Sequence, residues 1–190
     1  MGRSKTVSDV ALLDLLLPVL RNGGPAGLTF AKASNAAGLS AASLVQRFGT
    51  RDAMIVAVLS HAWDSLIAKT ATLDAELPST PQGAIELLLR LLPGDEADYA
   101  VDDGLMLLRE DLRNTVLRAR GAAWGASLAT ALGRRLADEH SQAQRLGWQM
   151  ASIWQGALIW WAFTRGTRVE DAIAHSLEGW CRSVGVLPDA

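Results

Sequence analysis

Apolar positions recur at helical spacing along most of the chain, and short clusters of Gly, Pro, Asn, Ser and Thr interrupt the recurrence. The first apolar run predicts a helix over roughly 8–21, closed by Asn22-Gly23-Gly24-Pro25-Ala26-Gly27, with Pro18 expected to bend it. Thr29 is a good N-cap for a short helix that stops at Gly38, and Ser40 caps another from Ala41 to about Gln46, ended near Gly49. Thr50 opens a long helix from Arg51 to about Ala75.

Beyond it, Thr80-Pro81 places a cap and a first-position proline before a helix ending at Pro93-Gly94. The acidic stretch Asp95 to Asp103 leads into the apolar run from Gly104 to Leu108. Asn114-Thr115 starts a helix towards Ala137, and Ser141 starts one that reaches Thr164 and is stopped by Arg165-Gly166. Thr167-Arg168-Val169-Glu170 has capping-box spacing and opens the last helix, to about Val184. The pattern therefore predicts an all-α fold of nine helices joined by short turns.

Composition agrees. Ala and Leu supply 61 of the 190 residues against 17 for Val and Ile, and straight-chain residues lose least on entering a helix. The single cysteine, Cys181, excludes an internal disulfide framework and a cysteine-cluster metal site. No long apolar core with a small-residue cleavage site stands at the start, so a cytoplasmic protein is expected. Charge changes the picture more. The net charge is −2, yet residues 1–63 hold six basic side chains against three acidic, and all seven tryptophans fall at position 63 or later. A basic, Trp-free first third thus precedes an acidic, Trp-rich remainder, which suggests two units with different partners.

Ala37-Gly38-Leu39-Ser40 is the Ala-Gly-apolar-Ser turn of a helix-turn-helix: glycine permits the left-handed turn, Leu39 plugs the gap, and Ser40 caps the second helix. With the continuation Ser43-Leu44-Val45-Gln46-Arg47-Phe48-Gly49-Thr50-Arg51-Asp52-Ala53-Met54, residues 8–63 resemble the TetR (tetracycline repressor) family of one-component regulators. The rest of the chain is similar to that family in helix count, length and order. Val45 stands where the family usually has a tyrosine, Phe30-Ala31-Lys32 and Ala33-Ser34 alter the second helix, and Pro25 replaces an aromatic. The resemblance implies a DNA-binding head over 1–50, the start of helix 51–75 as connector, and an effector-binding and dimerisation body over 51–190.

A helix-turn-helix lays the N-terminal part of its second helix against base edges in the major groove. Ala41, Ala42, Ser43 and Gln46 are expected to face outward there, with Leu44, Val45 and Phe48 turned inward. Arg51 sits at a helix start, where the macrodipole disfavours a cation, so a phosphate partner is expected for it and for Arg47. Thr29, Lys32 and Ser40, with an N-terminal arm carrying Arg3 and Lys5, complete the expected DNA contacts.

In the body, Leu146 to Thr164 carries no charge, yet Gln149, Ser152 and Gln155 interrupt it and its tryptophans fall mid-segment. A buried bundle helix fits better than a membrane span. The small-residue row Ala143, Gly147, Ala151 permits close helix contact, and the resemblance implies that the last two long helices pair with a second copy. The expected dimer face is Gly147, Ala151, Trp154, Leu158 and Trp161, with Ile173, Leu177 and Trp180 from the final helix. Trp63, Trp124, Trp148 and Trp154, with His61, Gln149 and Gln155 as polar groups, are candidates to line a pocket for a small apolar effector. The three histidines lack ligand spacing, and there is no phosphate loop, nucleophile elbow or zinc signature, so neither metal, cofactor nor enzymatic activity is expected. The resulting function is a one-component DNA-binding regulator, a homodimeric repressor released from operator DNA by its effector. The alternative is a dimeric helical interaction protein with a vestigial head.

Overall fold

The computed structural model describes residues 7–92 and 107–188. Its helices are α1 (Asp9–Gly27), α2 (Phe30–Ala37), α3 (Ala41–Phe48), α4 (Arg51–Glu76) and α5 (Pro81–Leu91). Then follow α6, described over 107–113, α7 (Thr115–Gly133), α8 (His140–Thr164) and α9 (Val169–Ser183). The acidic run Asp95–Asp103 lies outside the described residues. So do Arg3 and Lys5, the two arm residues expected to contact DNA. No helix among the described residues is long and apolar enough to cross a membrane.

Most helix starts are explained by one side chain each. Ser8, Thr29, Ser40 and Thr80 accept from the amides of Ala11, Lys32, Ser43 and Gly83, three residues on. Thr50 does the same for Ala53 at 3.1 Å, and Asn114 accepts from Val116 and Leu117. Three expectations are corrected. The break expected over 22–27 is confined to Gly24, at φ 60 and ψ −175, after which the chain turns helically again to Gly27. Such a φ suits glycine, and Gly24 is the only residue inside α1 to leave helical geometry, so the backbone passes Pro18 unbroken. The cap of α8 is Glu139 rather than Ser141, because its carboxylate reaches the amides of both Ser141 and Gln142 and the Ser141 hydroxyl. These bonds favour the charged form and lower its pKa to about 2. Finally, the capping box at Thr167–Glu170 does not form. Arg168 is the cap and makes no side-chain cap bond, while the Thr167 carbonyl accepts from the Trp161 indole at 2.9 Å.

The chain divides into two compact units. The first runs to Ser65 and includes the later stretch ending at Arg120. Its core is Leu12, Leu16 and Leu20 of α1, one helical face, closed over by Leu28, Ala33, Leu44, Met54, Val58 and Leu117. Phe30, Leu39 and Phe48 pack half-buried around it.

The second unit takes Leu66 onward and Gly121 onward. Here α8 lies against α9, α5 also packs on α9, and Leu87, Leu88, Leu128, Leu132, Leu146, Ile173 and Leu177 are buried. Helices α7 and α8 approach so closely that a Cβ at Gly147 would strike the Ala129 carbonyl and one at Gly133 the Ala143 carbonyl. Arg135, only 4% exposed, follows α7. It donates to the Asp74 carboxylate at 2.5 Å and to the carbonyls of Asp74, Leu77, Pro78 and Ala131. One guanidinium thus satisfies carbonyls that the end of α4 leaves without helical partners.

Candidate nucleic-acid interface

Helices α2 and α3 meet through Gly38, whose φ of 65 is the left-handed value this turn requires. The Gly38 amide donates to the Ser34 carbonyl, and the Ser34 hydroxyl donates to the Leu39 carbonyl at 2.5 Å, so the turn is hydrogen-bonded on both sides. Ser40 then holds the start of α3 by its bond to the Ser43 amide. With Leu44 fully buried as the inward pin, Ala41, Ala42, Ser43, Gln46 and Arg47 are exposed, and Lys32 and Thr29 lie on the preceding helix and its cap. Of the residues expected to touch DNA, Arg3 and Lys5 lie outside the described residues.

Val45 departs from expectation: it is 45% exposed. In a helix of 100° per residue the outward arc runs from Ala41 through Val45, Ala42 and Gln46 to Ser43 and Arg47, while Leu44 and Phe48 occupy the remainder. The arc leaves no inward place for Val45.

The two arginines are both engaged within the unit. Arg47 donates to the Val7 carbonyl at 3.1 Å and stands 3.4 Å from the Asp9 carboxylate, turned towards the start of α1. Arg51 is half-buried and donates to the Leu28 carbonyl at 2.9 Å and to the Pro25 carbonyl. These two bonds give Arg51 partners within the first unit itself. The cation stands at the start of α4 because two carbonyls beyond the Gly24 break need donors, and a guanidinium fork spans both. Nothing in the sequence marked that pairing, since the partners are main-chain atoms 23 and 26 residues away.

The expected effector residues are divided between the two units. His61 and Trp63 belong to the first unit, where His61 Nε2 lies 2.6 Å from Asp14 and the Trp63 indole donates to Asp111 at 3.0 Å. Burial pushes the Asp111 carboxyl pKa up against the lowering effect of that indole bond, and neighbouring Glu110 raises it further. In the second unit Trp124 and Trp154 are buried with ring centroids 6.5 Å apart, and the Trp124 indole donates to Thr70 at 3.0 Å. The Trp154 Nε1 is buried with no hydrogen-bond partner among the described residues. Trp148 and Gln149 are exposed, Trp148 resting its ring edge on Gly125. With Ser152, Ile153 and Trp180 they line an open groove of about 390 Å³. Gln155 is also exposed.

Six of the eight residues expected on the dimer face are turned inward. Gly147, Ala151, Trp154, Trp161, Ile173 and Leu177 are all buried within the chain, and Leu158 and Trp180 are half-buried. The small-residue row is used internally, as the Gly147–Ala129 and Gly133–Ala143 approaches require. What α8 exposes instead is Trp148, Ile159, Trp160 at 70% and Phe163 at 78%, the last two rings 5.9 Å apart.

Comparison with known proteins agrees with this architecture. No family model and no curated protein matches the chain. Solved structures do. A transcriptional regulator from Rhodococcus sp. Rha1 superposes with a TM-score of 0.76 at 16% identity, covering 93% of this chain and 95% of that one. A TetR-family regulator from Streptomyces coelicolor gives 0.67 at 21% identity, covering 93% and 96%. The fold is that of TetR-family regulators. The TetR-family repressor FadR of Thermus thermophilus, solved with lauroyl-CoA, shares it at a TM-score of 0.59 and 17% identity, covering 96% of this chain and 97% of that one.

Proposed function

We propose that this chain is a one-component DNA-binding regulator, a repressor that works as a homodimer and leaves its operator when a small apolar molecule binds the second unit. The observation that carries the reading is α3: a Ser40-capped helix, pinned by Leu44, whose exposed arc is made of small and hydrogen-bonding side chains rather than a solvating run of charge. Lys32, exposed on α2, is the proposed phosphate contact, since the first helix of such a pair crosses the backbone. Thr29, Ser43 and Gln46 complete the proposed contacts, while Arg51 acts from behind as a structural tie. A palindromic operator follows from two-fold symmetry.

For the dimer, the support is the exposed row Trp148, Ile159, Trp160 and Phe163 on α8. Large aromatics left in water on one helix face mark a surface that another chain covers. For the effector, the buried pair Trp124–Trp154, with an indole N–H lacking an acceptor, offers an apolar lining with one unused donor. The lauroyl-CoA of the Thermus thermophilus repressor, an apolar acyl chain on a charged nucleotide, is an example of a ligand with an apolar part that this fold accommodates.

The deciding experiment is selection of genomic fragments with the purified protein, followed by mobility-shift titration over a salt series. A retarded palindrome whose affinity falls steeply with salt is expected. Retention of no fragment at low salt refutes the regulator and leaves a dimeric interaction protein. In sedimentation equilibrium, Trp160→Ser with Phe163→Ser is expected to give monomer; an intact dimer would move the interface off α8.

A further inference from the structure

The polar side chains of α3 are unequally available. The Ser43 hydroxyl lies 2.8 Å from the Ser40 hydroxyl, and Arg47 is held towards Val7 and Asp9. Among the described residues Gln46 makes no side-chain hydrogen bond. Beside it on the outward arc stand Ala42 and Val45, then Ala41, all exposed. One side of the arc, Ala41, Val45 and Ala42, is therefore apolar, and the Gln46 carboxamide adjoins it near the arc's centre.

Each base pair shows a distinct pattern in the major groove. Guanine is read best by a guanidinium or ammonium, adenine by the paired donor and acceptor of Asn or Gln, and thymine by apolar contact with its C5 methyl. The outward face of α3 offers the last two and, with Arg47 turned away, withholds the first. Resting on the DNA-binding reading above, we propose that Val45, Ala42 and Gln46 specify an A·T-rich half-site, Val45 and Ala42 against thymine methyls and Gln46 against an adjacent adenine. Val45 is the determinant that the inward assignment concealed. A β-branched side chain with restrained rotamers presents its two methyl groups at a low entropic cost, which suits a fixed contact with a methyl on the base.

The test uses the full chain and synthetic duplexes. Selection from a random duplex pool at low salt is expected to return palindromes whose half-sites are dominated by A·T pairs. Replacing each half-site thymine in turn by deoxyuridine then removes only the C5 methyl. At the contacted position this is expected to weaken binding about fourfold, the equivalent of one buried methyl group. Val45→Ala is expected to weaken binding to the thymine duplex to a similar extent and to make the deoxyuridine exchange nearly silent there. Because Val45 is exposed, this variant retains its fold, which circular dichroism checks. Gln46→Ala should relax the choice at one adenine and leave the deoxyuridine effect in place. Half-sites built on guanine, or deoxyuridine exchanges without effect on the native protein, overturn the inference while DNA binding stands. Failure to bind any duplex at low salt overturns both.

Discussion

Replacing Arg51 by alanine removes the donors that hold the Pro25 and Leu28 carbonyls against the start of α4. A hydrogen bond from a charged donor contributes about 1.5–3 kcal/mol net, and the half-buried setting argues for the lower end. The Leu28 residue is fully buried, so water does not readily replace the lost donor at its carbonyl. The loss for the first unit is therefore about 2–4 kcal/mol. Because the perturbed carbonyls join α1 to α2, it should appear as easier opening of the helix-turn-helix rather than as global unfolding. Hydrogen exchange followed by mass spectrometry over residues 20–48 is expected to accelerate on the order of a hundredfold where exchange proceeds through that opening. Arg51→Lys should recover only part of the protection, since one ammonium cannot reproduce a planar fork over two acceptors. The salt dependence of DNA binding separates this role from a direct contact. Loss of a phosphate contact lowers the slope of log affinity against log salt by about 0.9, whereas loss of a tie lowers affinity and leaves the slope alone. Unchanged exchange together with a slope shallower by about that amount in Arg51→Ala would refute the argument.

Three further outcomes are expected. Arg135→Met strips the buried donors from Asp74, Leu77, Pro78 and Ala131 and should cost about 3–5 kcal/mol in urea unfolding, as removal of one partner from a buried pair does. Gly147→Ala forces a methyl group against the Ala129 carbonyl and should destabilise the second unit by about 1–3 kcal/mol, a cost visible in the same titration. Asp111→Asn keeps an acceptor for the Trp63 indole and removes a carboxylate whose burial raises its pKa; a raised pKa means ionisation is disfavoured in the folded state, so the variant should gain stability at neutral pH. That gain should shrink as the pH falls through the raised value towards 3.8, and thermal melts from pH 7 to 4 would show it.

The helix-turn-helix was legible because its signals are local. A cap bonds an amide three residues away, and a left-handed glycine needs no distant partner, so Thr29, Gly38, Ser40 and Thr50 could be placed from neighbours alone. The ties of Arg51 were not legible because its partners are carbonyls, which every residue possesses and no side-chain pattern reveals. The same holds for Glu139, whose acceptance from Ser141 and Gln142 displaced the serine as cap. Where two capping groups compete within three positions, the carboxylate with two oxygens can serve two amides and a hydroxyl at once.

Helix α8 posed a different difficulty. A helix apolar nearly all round has no polar stripe to mark the outside, so periodicity determines that it is covered and leaves open which face meets what. The small-residue row Ala143, Gly147, Ala151 suggested a partner chain, yet the close approach it permits is to α7, where Ala129 and Gly133 provide the matching lack of bulk. Close packing needs small residues on both helices. That condition was available in the sequence, since α7 carries its own small row at Gly125, Ala129 and Gly133, four residues apart. Once the small face is committed inward, the geometry of 100° per residue drives Trp160 and Phe163 outward. Each is a side chain that ordinarily buries 150–250 Å². The tryptophans of α8 thus divide by helix face: Trp154 and Trp161 complete the core, and Trp148 and Trp160 supply the surface through which a second copy is proposed to bind.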